Sequence, residues 1–473
     1  MLMSPARPPA TAACPTEQFW GHARILGLLA GGVTFGAYLV GSGRSYDYDS
    51  SETVGSFIAT HSALDAFRRQ LVFNNHPLFS FLDHLVYSIG GHSELALRLL
   101  PIALGALTVA LLVSVCVRRW GAIAGLSAGF VLAANPTFAE LSRSVRGYSL
   151  VCLAVVLSTL LLDRLLRRPE TWTSVAYVVA LAAAIATHVY ALFALLAQIA
   201  LVGARGRLSR SWTLRWMTAL VLGLLAYSGI GEAMLRSARR GGHLFHPRFP
   251  LALLSMLFGG NRIALIAFVL VVPLGLLSFR PRTVAAVTAT LTVVVVVLWI
   301  WLSPRDLYPR FLIWLAPCVA LAAGAAVSRR RLTLVLVGVA AFTMLRIDVA
   351  HWTQNPLPDR QAARLIDEAR TSGSRPCVFP LIRGSLLGYT RGPDEVTTPA
   401  QLDRCAIVLS VPADPTSLRS AAQRFFRHHW QLDARTPMLV FSRFTRGELS
   451  ARHLLRVGRR AQPESETARA RAP

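Results

Sequence analysis

Long apolar segments recur along most of this chain and restrict its fold more than any other feature of the sequence. A bilayer hydrocarbon core of about 30 Å is crossed by roughly 20 apolar residues in a helix. With 53% hydrophobic and only 15% charged residues, the chain is predicted to be an all-α polytopic membrane protein. About eleven transmembrane helices are predicted, at residues 23–41, 95–117, 121–138, 147–166, 172–187, 189–204, 214–233, 262–279, 283–302, 310–328 and 332–348.

The arginine distribution predicts how these helices are oriented. All 49 basic residues are arginine, and basic residues concentrate in short cytoplasmic loops. With residues 1–22 as a cytoplasmic tail, every predicted inner turn is basic. The inner arginines are Arg118, Arg119, Arg164, Arg167, Arg168, Arg205, Arg207, Arg210, Arg215, Arg280, Arg282 and Arg329 to Arg331. The same parity places residues 42–94, 136–146 and 234–261 and the C-terminal region outside.

Arginines are also frequent in the predicted outer loops, which the positive-inside rule does not explain. A planar guanidinium binds phosphate through two parallel hydrogen bonds, so an anionic ligand is predicted there. Two hypotheses remain open, namely the head groups of membrane lipids and a specific phosphate site. Nucleic acid is a poor explanation of the +25 charge, because the arginines lie beside apolar helices. Arginine without lysine suggests a GC-rich bacterium, and hence a bacterial plasma membrane.

After the transmembrane domain, residues 23–348, the composition changes to that of a soluble domain. Residues 349–457 are predicted to form a small extracytoplasmic α/β domain. Its predicted helices are 359–370 and 417–427, and its predicted strands are 377–381, 406–411 and 438–444. Residues 458–473 are polar and rich in arginine and alanine, which is typical of disorder. Cys377 and Cys405 either form a disulfide in an oxidising compartment or pack separately at strand starts.

Two acidic residues, Asp47 and Asp49, open the first outer loop. In an extended loop, residues two apart project to the same side, so both carboxylates are expected to face one ligand. Such a pair can hold a divalent metal or act as a general base towards a hydroxyl. The alternative is an N-cap, in which Asp49 or Ser50 starts a helix running through Glu52.

Further along the same loop, Asn75-His76-Pro77 precedes a stretch with helical periodicity, residues 78–89. It is shorter than a membrane span and is predicted to be an interfacial helix at the outer surface. His76 is a candidate ligand-binding residue, and a hydrogen-bonded loop histidine is the alternative.

The next outer loop contains Glu140, Arg143, Arg146 and Tyr148, which are candidate substrate- or phosphate-binding residues. On a helix, Arg143 and Arg146 would share a face and clamp one phosphate, whereas both could instead extend to lipid head groups. Tyr148 has an interfacial anchor as its alternative role.

A late outer loop ends in Tyr308-Pro309-Arg310-Phe311. This sequence places Arg310 at the outer mouth of a helix. Arg310 is therefore another candidate phosphate ligand, with a salt bridge to Asp306 as the competing explanation.

These motifs occur in an order that resembles the GT-C superfamily of integral membrane glycosyltransferases, over about residues 23–330. The resemblance is strongest to its branch of protein-O-mannosyltransferases and aminoarabinose-transferase-like enzymes. The motifs are the acid pair, Asn-Asn-His-Pro-Leu from Asn74, Ser-Glu-Leu-Ala-Leu-Arg-Leu-Leu-Pro from Ser93, Arg-Ser-Val-Arg-Gly-Tyr-Ser-Leu from Arg143 and Tyr-Pro-Arg-Phe-Leu from Tyr308.

The resemblance implies an inverting transfer of a sugar from a polyprenyl-phosphate donor to an acceptor hydroxyl on a glycan, lipid or protein. The first-loop acid is then the base, and alignment selects Asp49, with Ser50 standing where the family commonly has Glu. Asp47 or Glu52 remains for a second carboxylate, and a metal is not required. Two other functions remain open, a transporter or flippase for lipid-linked sugars and a GT-C-like scaffold that only binds them.

Overall fold

The computed structural model describes residues 17–40, 42, 46–68, 75–91, 93–228, 249–279, 287, 308–354 and 359–371, and in the C-terminal region residues 376–378, 388, 390, 394–395, 407–410, 430–432, 439–442 and 452–460. The helices in this part of the chain are α1 Glu17–Leu39, α2 Tyr48–Thr53, α3 Ala63–Arg68, α4 Pro77–Gly90, α5 Glu94–Trp120, α6 Ala122–Ala133, α7 Pro136–Arg143, α8 Tyr148–Arg167, α9 Thr171–Thr187, α10 Leu192–Ala204, α11 Arg210–Leu225, α12 Phe249–Leu257, α13 Arg262–Leu276, α14 Ala316–Arg329, α15 Leu332–Gln354 and α16 Asp359–Thr371. Shorter helical turns are the π-helix Val54–Ile58 and the 3-10 helices Val189–Ala191 and Pro309–Leu315.

Ten of the eleven predicted spans overlap helices in the described residues; residues 229–233 of the span 214–233, and the eleventh span, 283–302, apart from residue 287, lie outside them. Within the described residues, four helical segments are by themselves long and apolar enough to cross a membrane, or six if two bent pairs each count as one span. The bent pairs are α6 with α7, at 65°, and α12 with α13, at 84°. The predicted break between 172–187 and 189–204 is confirmed, because α9 ends at Thr187 and a 3-10 turn follows.

Two expectations about the loops are corrected. Residues 136–143, in a predicted outer loop, form the helix α7, because Asn135 caps it and Pro136 occupies its first turn. The last transmembrane helix extends to Gln354, six residues beyond its predicted end at 348.

Small residues line the face that α14 buries in the core of the helical region. On α14, Ala320, Ala323 and Ala326 are fully buried, and this helix packs against α6 and α13. In a membrane, small side chains let helix backbones approach closely enough for van der Waals contact to hold them together.

The C-terminal strands form a mixed sheet in the order β2-β1-β3-β6-β4, with β5 also paired to β6. The strands are β1 Pro376–Val378, β2 Asp394–Glu395, β3 Ile407–Ser410, β4 Trp430–Leu432, β5 Leu439–Ser442 and β6 Arg452–Arg460. β1 runs parallel to β2 and β3, whereas β6 is antiparallel to its three partners.

This sheet and α16 fit the predicted α/β composition. The predicted strands overlap β1, β3 and β5. The tail predicted to be disordered from 458 is wrong at its start, because β6 continues to Arg460. The predicted helix 417–427, Cys405 and residues 461–473 lie outside the described residues, so the disulfide stays a prediction.

The long helix α5 separates two chemically different ends of the bundle. It has 27 residues, so it is about 40 Å long. Arg118 and Arg119 lie in its last turn, where Arg119 is 5.8 Å from the ring centroid of Phe279. Arg329 donates to the Ser278 hydroxyl at 2.8 Å. The predicted inner turns after α5, α13 and α14 therefore meet at one end, and Arg98, at the other end of α5, lies beside the candidate site.

Candidate active site

The helix α2 carries the candidate base. Its N-cap is Asp47, whose carboxylate accepts hydrogen bonds from the Ser50 amide at 2.7 Å and the Ser50 hydroxyl at 3.0 Å. The predicted helix through Glu52 is therefore confirmed, with its cap two residues earlier than expected. The extended conformation expected for this stretch is wrong, because the chain is helical from Tyr48 and Asp47 caps that helix, but the charges of both Asp47 and Asp49 act on Arg310.

Asp49 is paired with two arginines that are distant in sequence. Its Oδ1 lies 3.2 Å from Nη1 of Arg146, and its Oδ2 lies 2.5 Å from Nη1 of Arg310. The Arg146 side chain is 2% exposed, whereas those of Asp49 and Arg310 are 21% and 24% exposed. The carboxylate is thus buried on one side by cations and accessible on the other.

His76 orients Arg146. The Nε and Nη2 atoms of Arg146 lie 3.3 Å and 3.0 Å from Nε2 of His76. Burial, followed by the positive charge of Arg146, holds the pKa of His76 well below its usual range, so the ring is neutral near pH 7. A neutral ring that accepts from Arg146 is the hydrogen-bonded loop histidine of the alternative hypothesis.

An aromatic group completes this side of the site. The Tyr148 and His188 rings each lie 5.0 Å from the His76 ring, and Phe311 lies 4.9 Å from His188. Tyr148 is 1% exposed, which excludes the interfacial-anchor hypothesis for it. His188 lies between the predicted spans 172–187 and 189–204, and the break between these two short apolar segments is its signal in the sequence.

Arg143 does not join Arg146 in a phosphate clamp. α7 ends at Arg143, so Arg146 lies beyond the helix and the two side chains diverge. Nη1 of Arg143 binds Asp348 at 2.8 Å, with both side chains 5% exposed. Its guanidinium carbon also lies 4.6 Å from the ring centroid of Tyr38. The clamp prediction is therefore wrong, and burial of both arginines also excludes the lipid-head-group alternative.

Two further residues connect this buried pair to the site. Arg98 is 1% exposed and donates to the carbonyl oxygens of Arg143 and Ser42, at 3.1 Å and 2.5 Å. It thereby holds the chain leaving α7 beside the chain entering the first loop. Glu140 is half-buried in α7, and its carbonyl oxygen accepts from Ser144. The alternative salt bridge between Arg310 and Asp306 is not tested, because Asp306 lies outside the described residues.

The acid pair does not suit a divalent metal. Two guanidinium groups flank Asp49, and Asp47 is occupied with the helix cap. A divalent cation would be repelled by these guanidiniums. Within the described residues, no group of three or more His, Cys, Asp or Glu could hold a metal ion.

Comparison with known proteins gives a family match and a fold match. The family described as "Dolichyl-phosphate-mannose-protein mannosyltransferase" matches residues 74–229. ArnT from Cupriavidus metallidurans in the apo state is similar with a TM-score of 0.57 at 14% identity, covering 91% of this chain and 97% of that one. The resemblance to the GT-C superfamily is confirmed.

ArnT from Cupriavidus metallidurans bound to undecaprenyl phosphate has a fold similar to that of this chain. Its TM-score is 0.55 at 14% identity, covering 92% of this chain and 97% of that one. No curated protein sequence matches significantly. The fold likeness, over 91% and 92% of this chain, extends well beyond residues 74–229, the part matched by the family.

Proposed function

We propose that this protein transfers a sugar from a polyprenyl-phosphate donor to an acceptor hydroxyl, with inversion at the anomeric carbon. The observation that carries this proposal is the Asp49 carboxylate held between Arg146 and Arg310. A base and two phosphate ligands are what this reaction requires of a protein. The GT-C fold and the similarity to ArnT bound to undecaprenyl phosphate support the donor class.

In the proposed reaction, Asp49 accepts the proton of the acceptor hydroxyl as its oxygen attacks the anomeric carbon. The bond between that carbon and the donor's phosphate oxygen breaks, and polyprenyl phosphate leaves with the electron pair. Arg146 and Arg310 stabilise the negative charge that develops on the phosphate, which is usually the largest contribution to catalysis of this type. The proton remains on Asp49 until it is released to solvent.

The two arginines also control when Asp49 is available. A carboxylate shared by two guanidiniums is a weak base, because its lone pairs are occupied and its charge is neutralised. The donor phosphate competes with Asp49 for these N–H groups, since both are anionic acceptors. Donor binding therefore releases the base, and the donor is expected to bind before the acceptor.

His76 supports this chemistry by orienting Arg146, rather than by forming an ion pair with the donor phosphate. Since its ring is neutral and accepts from Arg146, it fixes the direction of that guanidinium. Tyr148, packed against His76, is proposed to bind substrate, and Glu140 and Arg143 are assigned to the surrounding scaffold.

The membrane sidedness follows from charge. Arg118, Arg119 and Arg329 lie at the opposite end of the bundle from Asp49, and basic ends face the cytoplasm. The site and the C-terminal domain are therefore proposed to lie on the outer face of a bacterial plasma membrane. The acceptor is accordingly an extracytoplasmic glycan, lipid or protein.

The function is tested by incubating purified protein in liposomes with polyprenyl-phosphate mannose or arabinose and mixed envelope acceptors. Transfer with inverted anomeric configuration is expected for one donor. Movement of the lipid-linked sugar between leaflets without transfer would identify a flippase, and donor binding without turnover for any acceptor would identify a binding scaffold. Either result would overturn the proposal.

A further inference from the structure

The helix α2 depends on outside contacts for its position. It has only six residues, and helices shorter than about 12 residues are marginal on their own. Three consecutive residues attach it to three different parts of the chain. Asp49 binds the two arginines, the Ser50 hydroxyl accepts from the Val145 amide at 3.1 Å, and the Ser51 hydroxyl accepts from the Gly388 amide at 2.9 Å.

The third attachment comes from the C-terminal region, 337 residues further along the chain. Ser51 is fully buried, and Gly388 lies so close that an added Cβ would be 3.0 Å from the Ser51 Oγ and 3.1 Å from its Cα. A Cβ at 3.0–3.4 Å from a neighbour requires that neighbour to shift. Glycine therefore suits this close backbone approach, because it has no Cβ.

The same segment is anchored on its other side. Thr390 is 7% exposed, donates to Asp367 at 2.7 Å and accepts from Arg370 at 2.9 Å. Both partners lie on α16. A connection two residues long thus joins a helix of the C-terminal region to the helix that carries Asp49.

We propose that Gly388 is a positioning residue of the active site, which makes the C-terminal region a structural part of that site. Its amide holds Ser51, and through α2 it keeps the Asp49 carboxylate in register with Arg146 and Arg310. This inference rests on the proposed function, because it assigns Asp49 the role of base. A displacement of about 1 Å in a reacting group lowers rates by as much as ~100-fold.

The test compares Ser51→Ala, Gly388→Ala and the double variant in the full-length protein. Ser51→Ala removes one hydrogen bond and should lower kcat about 2- to 10-fold. Gly388→Ala pushes α2 and should lower kcat by about 10- to 100-fold, with donor KM changed less than 3-fold. The double variant should resemble Gly388→Ala, because both changes act on one contact.

Two matched controls separate positioning from general loss of stability. Ser328→Ala removes a hydroxyl that binds only within its own helix, to the Ala325 carbonyl. Gly338→Ala adds a methyl where no heavy atom lies within 4 Å. Both should retain wild-type kcat. If Ser51→Ala and Gly388→Ala lower only the melting temperature, and kcat per folded molecule is unchanged, the positioning role is wrong.

A second measurement tests the contact without using activity. The pair Ser51→Cys and Gly388→Cys should form a disulfide under mild oxidation, detected by peptide mass mapping, because a Cβ at position 388 would lie 3.0 Å from the Ser51 Oγ, where the new sulfur would stand. Neither single variant should form this link. Absence of the link would contradict the contact itself. If the link forms but wild-type protein transfers no sugar, the proposed function has failed while the attachment of α2 stands.

Discussion

Arg143 and Arg146 lie three residues apart in one motif, yet they occupy opposite kinds of environment. Arg143 is paired with Asp348, and both side chains are 5% exposed. Arg146 is paired with Asp49, whose side chain is 21% exposed and is shared with Arg310. The first pair is closed on all sides, whereas the second keeps an accessible acid beside two cations. Identical residue types at a regular spacing therefore hold structure in one place and support chemistry in the other.

The two arginine pairs differ in whether a phosphate ligand could replace the paired carboxylate. A phosphate cannot reach the Arg143 pair without opening the contact between α7 and α15. At the Arg146 pair, a phosphate can take the place of one carboxylate oxygen. The two roles therefore depend on which acid each arginine pairs with and on how exposed that pair is, rather than on the spacing of the arginines in the sequence.

Breaking the Arg143 pair should give the largest effect, and it should fall on stability. Arg143→Ala removes the guanidinium that pairs with the buried Asp348 carboxylate, and removing one partner of a buried pair costs about 3–5 kcal/mol. The melting temperature in detergent should fall sharply, and Asp348→Leu added to Arg143→Met should recover much of it. Loss of turnover in the folded fraction, without loss of stability, would place Arg143 at the site after all.

Breaking the Arg146 pair should instead remove catalysis. Arg146→Ala removes one of two cations that stabilise the leaving phosphate, which typically costs about 100- to 1,000-fold in kcat. Arg146→Lys should recover only part, because lysine lacks the planar fork. Single-turnover transfer rates measure this, with circular dichroism to confirm folding. Wild-type turnover in Arg146→Ala would remove the distinction between the two arginines.

Gly147→Ala should disturb the Arg146 pair but not the Arg143 pair, and it changes no charge. An added Cβ would lie 2.6 Å from Cγ2 of Thr187 and 3.0 Å from Cβ and Nδ1 of His76. His76 must then move and turn Arg146 with it, so kcat for Gly147→Ala should fall by about 10-fold. The Arg143 pair should be unaffected. Sugar transfer and thermal melting are measured on the same variant. A lower melting temperature with an unchanged kcat per folded molecule would show that the effect is only structural.

The smallest expected effect concerns pH. Burial lowers the pKa of His76 in the folded protein, so below its unfolded value of about 6.5 the unfolded chain binds a proton that the folded one does not. Stability from this group is complete above pH 6.5 and declines as pH falls, by at most ~1.4 kcal/mol per unit. Between pH 7.5 and 5.5, the melting temperature should change less with pH for His76→Gln than for the wild-type protein. An equal slope in both proteins would show that His76 is not held neutral.

Much of the helical architecture could be predicted because the apolar period is explicit in the sequence. The break at His188 and the strands near Cys377, Val408 and Val440 were also visible locally. The bends of 65° and 84° were not, although Asn135-Pro136 and Gly259-Gly260-Asn261 mark the two breaks in the sequence. A turn such as Asn135-Pro136 indicates a helix start but not the angle at which it begins.

The candidate site was predicted in part. Asp49, His76, Arg146 and Arg310 were all singled out, and the structure brings them together. The backbone at Asp47 was predicted to be extended, and the helix that was the competing interpretation begins there instead. Ser51 and Gly388 could not be paired from sequence, because no local pattern reports a contact across 337 positions.

Asp49 is proposed to act as the base once the donor phosphate has displaced it from Arg146 and Arg310. Two variants, measured side by side, test this role. Asp49→Asn and Asp47→Asn are compared for sugar transfer and for affinity for polyprenyl phosphate. Asp49→Asn should lose transfer and bind polyprenyl phosphate at least as tightly as wild type, because its arginines lose a competing anion, whereas Asp47→Asn should keep most of its turnover. Transfer by Asp49→Asn at the wild-type rate would contradict the account.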